Sequence, residues 1–300
     1  MDTKIKLTVF TPTYNRLEKL ERCYHSLVNQ TNLDFLWLIV DDGSKDETKA
    51  FVEQWIKEKK IRIEYIYQNN AGKQRAVNTG ISNCKTEYFA FLDSDDYFSA
   101  KTVARIYELF PIVDEDDSLA GIVARRGDEV GTPVVHIDLI NNIGKLNMDL
   151  LYKKWGDIGE TCRIYKLSIL KKFLYPIIND KFILESYMLS QIDQKYDVLF
   201  VNEVFSISKY YSDGYTLNAH KLYHNNPYGY LLGIASLTNS RRGFIRNVKY
   251  MALFINWKKL HKLHWNKEIH IRKFLKILAF PLAIAFRLFK YPKMFFEKNL

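Results

Sequence analysis

The sequence predicts an α/β protein, a mostly parallel sheet with helices on both faces followed by a basic helical extension. Three observations lead there. Short apolar runs alternate with segments whose apolar residues recur at helical spacing. Each of these runs ends in a polar cluster and not in a hairpin turn, the pattern of strands joined by right-handed crossovers. Positive charge is concentrated at one end. Residues 241–300 hold 15 Lys and Arg against two Asp and Glu, whereas the first 240 hold 29 against 32.

Leu7 to Phe10 reads as the first strand. It runs into Thr11-Pro12-Thr13-Tyr14-Asn15, and Leu17, Leu20, Tyr24 and Leu27 then mark one face of a helix. Phe35 to Val40 is the second strand, stopping at Asp41-Asp42-Gly43-Ser44-Lys45-Asp46, with Phe51, Val52, Trp55 and Ile56 on the helix behind it. Ile61 to Tyr67 is the third, followed by Gln68-Asn69-Asn70-Ala71-Gly72-Lys73 and a helix from about Gln74 to Ser82. The fourth, Phe89 to Leu92, runs straight into Asp93-Ser94-Asp95-Asp96. In a parallel sheet ligands bind at the carboxyl ends of the strands, where all four clusters fall.

Every cluster also has a purely local reading. Thr13 suits a helix cap, Asp41 and Asp42 suit a turn before Gly43, and Ser44, Asp46 or Asp96 could cap the next helix. Gly72-Lys73 lacks the spacing of a phosphate-binding P-loop. Taken together the local readings leave several carboxylates at one rim with nothing to balance them. Hard oxygen ligands at a strand end suit Mg²⁺ or Mn²⁺ bridging a diphosphate.

The series TPTYNR, VDDGSKDET, NNAGKQRAVNTG and FLDSDD resembles the nucleotide-sugar-binding half of family 2 glycosyltransferases, inverting enzymes of the GT-A, Rossmann-like fold. The resemblance covers roughly the first 110 residues. It implies that Pro12, Tyr14 and Asp42 line the base and ribose pocket, Asp42 accepting a hydrogen bond from the base. It also sets Lys73 toward the diphosphate and identifies Asp93 and Asp95 with the family's DXD motif. Asp95 is then the direct metal ligand, and Asp93 serves ribose or metal-bound water.

Farther on, Leu119 to Ala124 reads as a strand, and Arg125 to Asp149 as a variable loop. Gly156 to Tyr165, KFILESYMLSQI and VLFVNEVFSISKYYSDGYT together resemble the acceptor half of family 2 enzymes of bacterial surface polysaccharide synthesis. Many relatives carry a Glu-Asp pair where this chain has Glu185-Ser186. Glu185 is therefore the expected catalytic base, with Asp157 and Glu160 the next candidates. A helix N-terminal acid would account for Glu185 equally well. The expected organisation is a glycosyltransferase domain over 1–215, divided at 110 into donor and acceptor halves, and an extension over 216–300.

That extension carries Trp257, Trp265 and FLKILAFPLAIAFRLFKYPKMFF. Its longest uncharged apolar run, Ile277 to Phe286, is far short of the ~20 residues a bilayer span requires, and Pro281 interrupts it. Basic residues flanking Phe, Leu and Trp suit a helix lying on an anionic membrane surface. Packing on the domain, or on a second subunit of a homo-oligomer, is the alternative.

Composition bounds the rest. With 300 residues, 47% hydrophobic, the chain can bury a large core. An acidic first 240 residues disfavours nucleic acid as a partner. Cys23, Cys84 and Cys162 have neither metal spacing nor even number, which fits a reducing compartment. MDTKIKLTVF runs into a strand without a leader pattern, so the expected location is cytoplasmic, peripheral on the inner membrane face. The expected function is metal-dependent, inverting transfer from a nucleotide-diphospho-sugar to a glycan or lipid-linked glycan acceptor. A nucleotidyltransferase would carry a Gly- and Arg-rich loop near Thr11 to Arg16, which is lacking here. A non-catalytic sugar-binding scaffold would not need both Asp93 and Asp95.

Overall fold

The computed structural model describes residues 5–133, 142–156, 160–208, 219–266 and 269–290. The chain divides into two compact units. One comprises Met1–Met148, Trp155–Leu174 and Tyr196–Ser212, the other Asp149–Lys154, Tyr175–Lys195 and Asp213–Leu300. Tyr175–Lys195, which carries Glu185, groups with the C-terminal helices.

The first unit opens with the alternation read from the sequence: β1 (Leu7–Thr13), α1 (Leu17–Val28), β2 (Phe35–Asp41), α2 (Thr48–Glu58), β3 (Arg62–Tyr67), α3 (Lys73–Asn83) and β4 (Tyr88–Phe91). It continues through β5 (Asp96–Phe98), α4 (Thr102–Asp114), β6 (Leu119–Gly127), β7 (Ile143–Leu146), β8 (Thr161–Lys166) and β9 (Asp197–Ser208). The sheet order is β3-β2-β1-β4-β8-β6-β9-β5, with β7 also on β9. The first four strands pair in parallel. Beyond them the sheet is mixed, since β8 lies antiparallel to both β4 and β6 while β6 and β9 are parallel. The stretch expected to be a variable loop is partly structured, as β6 runs on to Gly127 and β7 pairs with β9.

The core explains why the strands stop where they do. All but Leu36 of β2 are buried, as for a strand covered on both faces. Leu20, Cys23, Tyr24 and Leu27 form the inward stripe of α1. Tyr24 stacks on Trp55 with ring centroids 4.3 Å apart, and Trp37 donates its indole N–H to Thr11 Oγ1 at 2.9 Å. The polar handle of a fully buried tryptophan is thus satisfied. Cys23, Cys84 and Cys162 are buried and free.

The second unit is helical. It holds part of α5 (Met148–Trp155), then α7 (Ser186–Asp193), α8 (Ala219–Asn225), α9 (Pro227–Leu237), α10 (Phe244–Leu260) and α11 (Lys273–Ala285), numbering the short α6 (Leu167–Leu170) of the first unit in sequence. Asp149, fully buried, accepts from Arg242 Nε and from the Arg241 backbone N–H, each at 2.8 Å. Such a charge is tolerated inside only with partners of this kind. Pro281 was expected to interrupt the terminal apolar run, yet α11 continues through it to Ala285. Pro281 lies on an exposed side of that helix, where the carbonyl it leaves without a backbone donor can reach water. Among the described residues, no helix is long and apolar enough to cross a membrane.

Candidate active site

Parallel pairing of β1 with β2 and β4 brings three of the four polar clusters side by side, and α3 starts from the fourth. Pairing of β1 with β4 ends at Phe10 and Phe91, but with β2 it continues to Thr13 and Asp41. The loops after β1 and β2 are fastened together. The Asn15 backbone N–H donates to Ser44 Oγ at 2.9 Å, and Asn15 Oδ1 accepts from the Lys45 N–H at 2.8 Å. Asn15 takes a left-handed conformation that asparagine tolerates better than most residues. Pro12 is half-buried, and Tyr14 is 43% exposed on the same loop, free of core duty.

The two aspartates after β2 have separate tasks. Asp41 accepts the Ser44 N–H and the Tyr65 hydroxyl, both at 2.7 Å, and so forms the expected turn. Asp46 likewise takes the local role, accepting from the Thr48 N–H and hydroxyl at the start of α2. Asp42, only 4% exposed, collects four donors. Gln68 Nε2 at 2.7 Å and the Ala71 N–H at 2.9 Å reach one oxygen; the Gly72 N–H at 2.7 Å and Asn70 Nδ2 at 3.2 Å reach the other. A carboxylate has about four lone-pair sites, so the chain itself fills them. A hydrogen bond from a base, the role expected of Asp42, would be a fifth. What Asp42 does in this structure is shape the loop that delivers Lys73. Gly43 permits the closure, because a Cβ there would meet the Asn70 nitrogen at 2.8 Å.

Beyond β4 the three carboxylates of Asp93, Asp95 and Asp96 each offer an oxygen within 4.8 Å of the others. Each is matched by a cation. Lys73 Nζ lies 2.8 Å from Asp93 Oδ2, Arg16 NH1 lies 2.9 Å from Asp95 Oδ2, and Arg126 pairs with both Asp96 and Glu160. Burial works against ionisation of Asp93, but Lys73, Arg126 and Arg16 outweigh it and hold the carboxyl below its ordinary value. For Asp96 the balance reverses. Burial, reinforced by Asp93 and Asp95 and only partly offset by Arg126, pushes it up to about 8. Asp96 begins β5 and caps no helix, since α4 is preceded by Lys101. Asp93 and Asp95 stay partly exposed beside it, a pair of hard oxygen donors that suits a divalent cation.

The remaining candidates are elsewhere. Glu160 is exposed in the first unit just before β8, tied to Arg126. Asp157 lies outside the described residues. Glu185 is exposed in the second unit, immediately before α7, where its backbone carbonyl accepts the Met188 and Leu189 N–H groups. Burial and the Glu185 charge together raise the Tyr223 phenol. Ser186 donates to the Gly233 carbonyl of α9 at 3.1 Å. Gly229 and Gly233 let this segment lie on α9, because a Cβ would meet the Phe182 carbonyl oxygen at 1.8 Å or Leu184 Cβ at 2.3 Å. Asp180 and Asn226 complete the attachment by accepting backbone N–H groups on opposite sides.

Sequence reading missed Arg16, Arg126, Gln68 and Asn70. Arg16 and the two amides stand inside motifs already singled out, so charge balance could have found them. Arg126 gave no local signal, because it meets Asp96 only through the pairing of β6 and β5 with β9.

Residues 8–174 match the family model described as glycosyl transferase family 2, and the match ends at the residue where the first unit gives way to Tyr175–Lys195. Glu185 therefore lies beyond it. Glycosyltransferase GlyA of Streptococcus pneumoniae serotype 4 is 37% identical over 103 residues, 34% of this chain and 15% of GlyA. The poly(ribitol-phosphate) β-N-acetylglucosaminyltransferase TarP of Staphylococcus aureus is 29% identical over 212 residues, 69% of this chain and 59% of TarP. The chain thus spans only part of either relative. Among solved structures, S. aureus TarS 1-349 in complex with UDP-GlcNAc superposes with a TM-score of 0.58 at 17% identity, covering 93% of this chain and 81% of TarS 1-349. The mannosyltransferase PcManGT of Pyrobaculum calidifontis, in complex with GDP-Man and Mn²⁺, gives 0.57 at 15% identity, covering 96% and 82%. These likenesses establish the GT-A fold, and with a family match over more than half its length the chain belongs to glycosyl transferase family 2.

Proposed function

We propose that the protein is an inverting glycosyltransferase that moves a sugar from a nucleotide-diphospho-sugar to a hydroxyl of a surface-polysaccharide acceptor, working at the inner membrane face. The observation that carries this is the cluster of Asp93, Asp95 and Asp96 with Lys73 and Arg16, set at the strand ends of a family 2 domain. Asp95 and Asp93 would hold Mg²⁺ or Mn²⁺, which when bound neutralises charge building on the leaving diphosphate. Lys73 supports the same charge from the start of α3. Asp42 fixes the Asn70 to Gly72 loop, and Pro12 and Tyr14 offer a surface for base and ribose. Glu185 takes the acceptor hydroxyl proton onto its carboxylate as that oxygen bonds to the anomeric carbon and the carbon–phosphate-oxygen bond breaks. The inversion follows from attack opposite the nucleotide.

TarP and TarS suggest the first compounds to try: UDP-GlcNAc as donor and a poly(ribitol phosphate) as acceptor. Lipid-linked glycans are the next acceptors. The test is nucleotide release and product formation from UDP-, GDP- and dTDP-sugars with Mg²⁺ or Mn²⁺. Expected is release from one nucleotide class, abolished by EDTA. Absence of release and of nucleotide-sugar binding across all three classes would overturn the proposal.

A further inference from the structure

The last described α-helix, α11, is apolar on the side it turns to solvent. Its inward side is accounted for: Leu275, Ala279 and Ala283 are buried. Asn256 Nδ2 of α10 donates to the Ala283 carbonyl at 2.8 Å, and Arg287 donates to Asn256 Oδ1 at 3.0 Å, so the rotation of the helix about its axis is fixed. Outward stand Phe274, Ile277, Leu278, Phe280 and Ile284, with Ile277 75% and Phe280 59% exposed, and Leu288 is exposed in the π-helical turn Phe286–Lys290 that follows. At 3.6 residues per turn, Ile277, Pro281 and Ile284 of α11 fall within an arc of about 60°. Single exposed apolar residues need no explanation, but a continuous face of them does.

Charge identifies what covers it. Arg272, Lys273 and Lys276 are exposed along the same helix, and residues 269–290 contain no Asp or Glu. A second copy packed symmetrically on this face would set the basic set against itself with no acid to pair. Among the described residues no helix is long and apolar enough to cross a membrane, and α11 itself reaches about 20 Å against the roughly 30 Å of a hydrocarbon core. We infer that α11 docks flat in the interfacial layer of an anionic membrane, the Phe274, Ile277, Phe280 and Ile284 face entering the acyl boundary and Arg272, Lys273 and Lys276 meeting lipid phosphates. This deepens the membrane placement proposed above by naming the surface and the lipid chemistry.

The experiment is flotation of the full chain with phosphatidylcholine vesicles and with vesicles also containing phosphatidylglycerol, at low and high salt. The wild type should bind only the anionic vesicles and leave them as salt rises. Lys273→Gln with Lys276→Gln should weaken binding roughly fivefold per residue and flatten the salt dependence. Ile277→Ser with Phe280→Ser should weaken it by roughly tenfold or more with the thermal midpoint unchanged, both side chains being exposed. Equal binding to neutral vesicles, or full binding by the Ser variant, overturns the inference. A wild-type dimer in sedimentation velocity that the Ser variant abolishes, without vesicle binding, assigns the face to a second copy and overturns it too. Donor hydrolysis in the same samples separates the readings: hydrolysis without flotation defeats the membrane placement and leaves the enzymatic reading standing, and flotation without hydrolysis defeats only the enzymatic reading.

Discussion

Replacing Asp42 by Asn changes one atom and tests what the carboxylate is for. Two chain donors reach each oxygen of Asp42, so an amide can satisfy one pair but must turn its own NH₂ toward the other. A hydrogen bond to a charged group contributes about 1.5–3 kcal/mol, and losing two costs about 3–6 kcal/mol if nothing replaces them. Gln68, Asn70, Ala71 and Gly72 are half-buried and can recover part of that from water, which favours the lower figure. The loss falls on the loop before α3, not on the core, so the protein stays folded while Lys73 loses its fixed position. A penalty of about 3 kcal/mol corresponds to roughly hundredfold weaker nucleotide-sugar binding. Calorimetric titration measures that, and hydrogen exchange reports the Ala71 and Gly72 amides directly. Undisturbed protection of both amides, or weakening confined to one nucleobase with the loop intact, would show that Asp42 serves the base and that the loop holds itself.

Three further outcomes are expected. Asp95→Asn keeps the size but removes a ligand charge, so donor-dependent turnover should fall by about a hundredfold or more, as when one electrostatic stabiliser is lost; full activity in EDTA would contradict a metal at Asp93 and Asp95. Glu185→Gln should cut sugar transfer by roughly 100- to 10,000-fold with nucleotide-sugar affinity preserved. Normal transfer by that variant, with loss in Glu160→Gln or Asp157→Asn, moves the base to another carboxylate. Gly229→Ala forces a methyl to within 1.8 Å of the Phe182 carbonyl oxygen; it should lower the thermal midpoint by several degrees, at about 1–3 kcal/mol of overpacking, while an unchanged midpoint would mean that α9 yields freely.

The first 110 residues were legible because their signals are local. β1 to β4 carry their own apolar runs, and the clusters that end them are contiguous in sequence, so the parallel sheet and the gathering of Asp93, Asp95 and Lys73 at its strand ends could be read from spacing. The second half was less legible because its pairings are not local. β9 reaches across the chain to β5, β6 and β7 at once, and nothing near Arg126 announces its two carboxylates. Asp42 shows a different limit: the residue was found but its partners were not, since a motif identifies which side chain matters without showing whether its lone pairs face a ligand or the chain. The attachment of the Glu185 segment to α9 was not legible for a similar reason. The segment with Glu185 belongs with α9, which follows it by some 40 residues and meets it through glycines whose use is visible only once the backbones touch.

Those glycines bear on how this protein could be re-engineered. The segment from Asp180 to Ser186 and helix α9 touch backbone to backbone at Gly229 and share hydrogen bonds through Asp180, Asn226 and Ser186. No layer of side chains lies between them there to absorb a change. A chimera that imports only a relative's version of residues 180–186 would keep a host helix shaped to the old one, and the mismatch would be paid in ångströms at carbonyl oxygens that cannot move aside. The two stretches form a cassette: residues 180–186 and 226–237 must be exchanged together, although some 40 residues separate them in the chain.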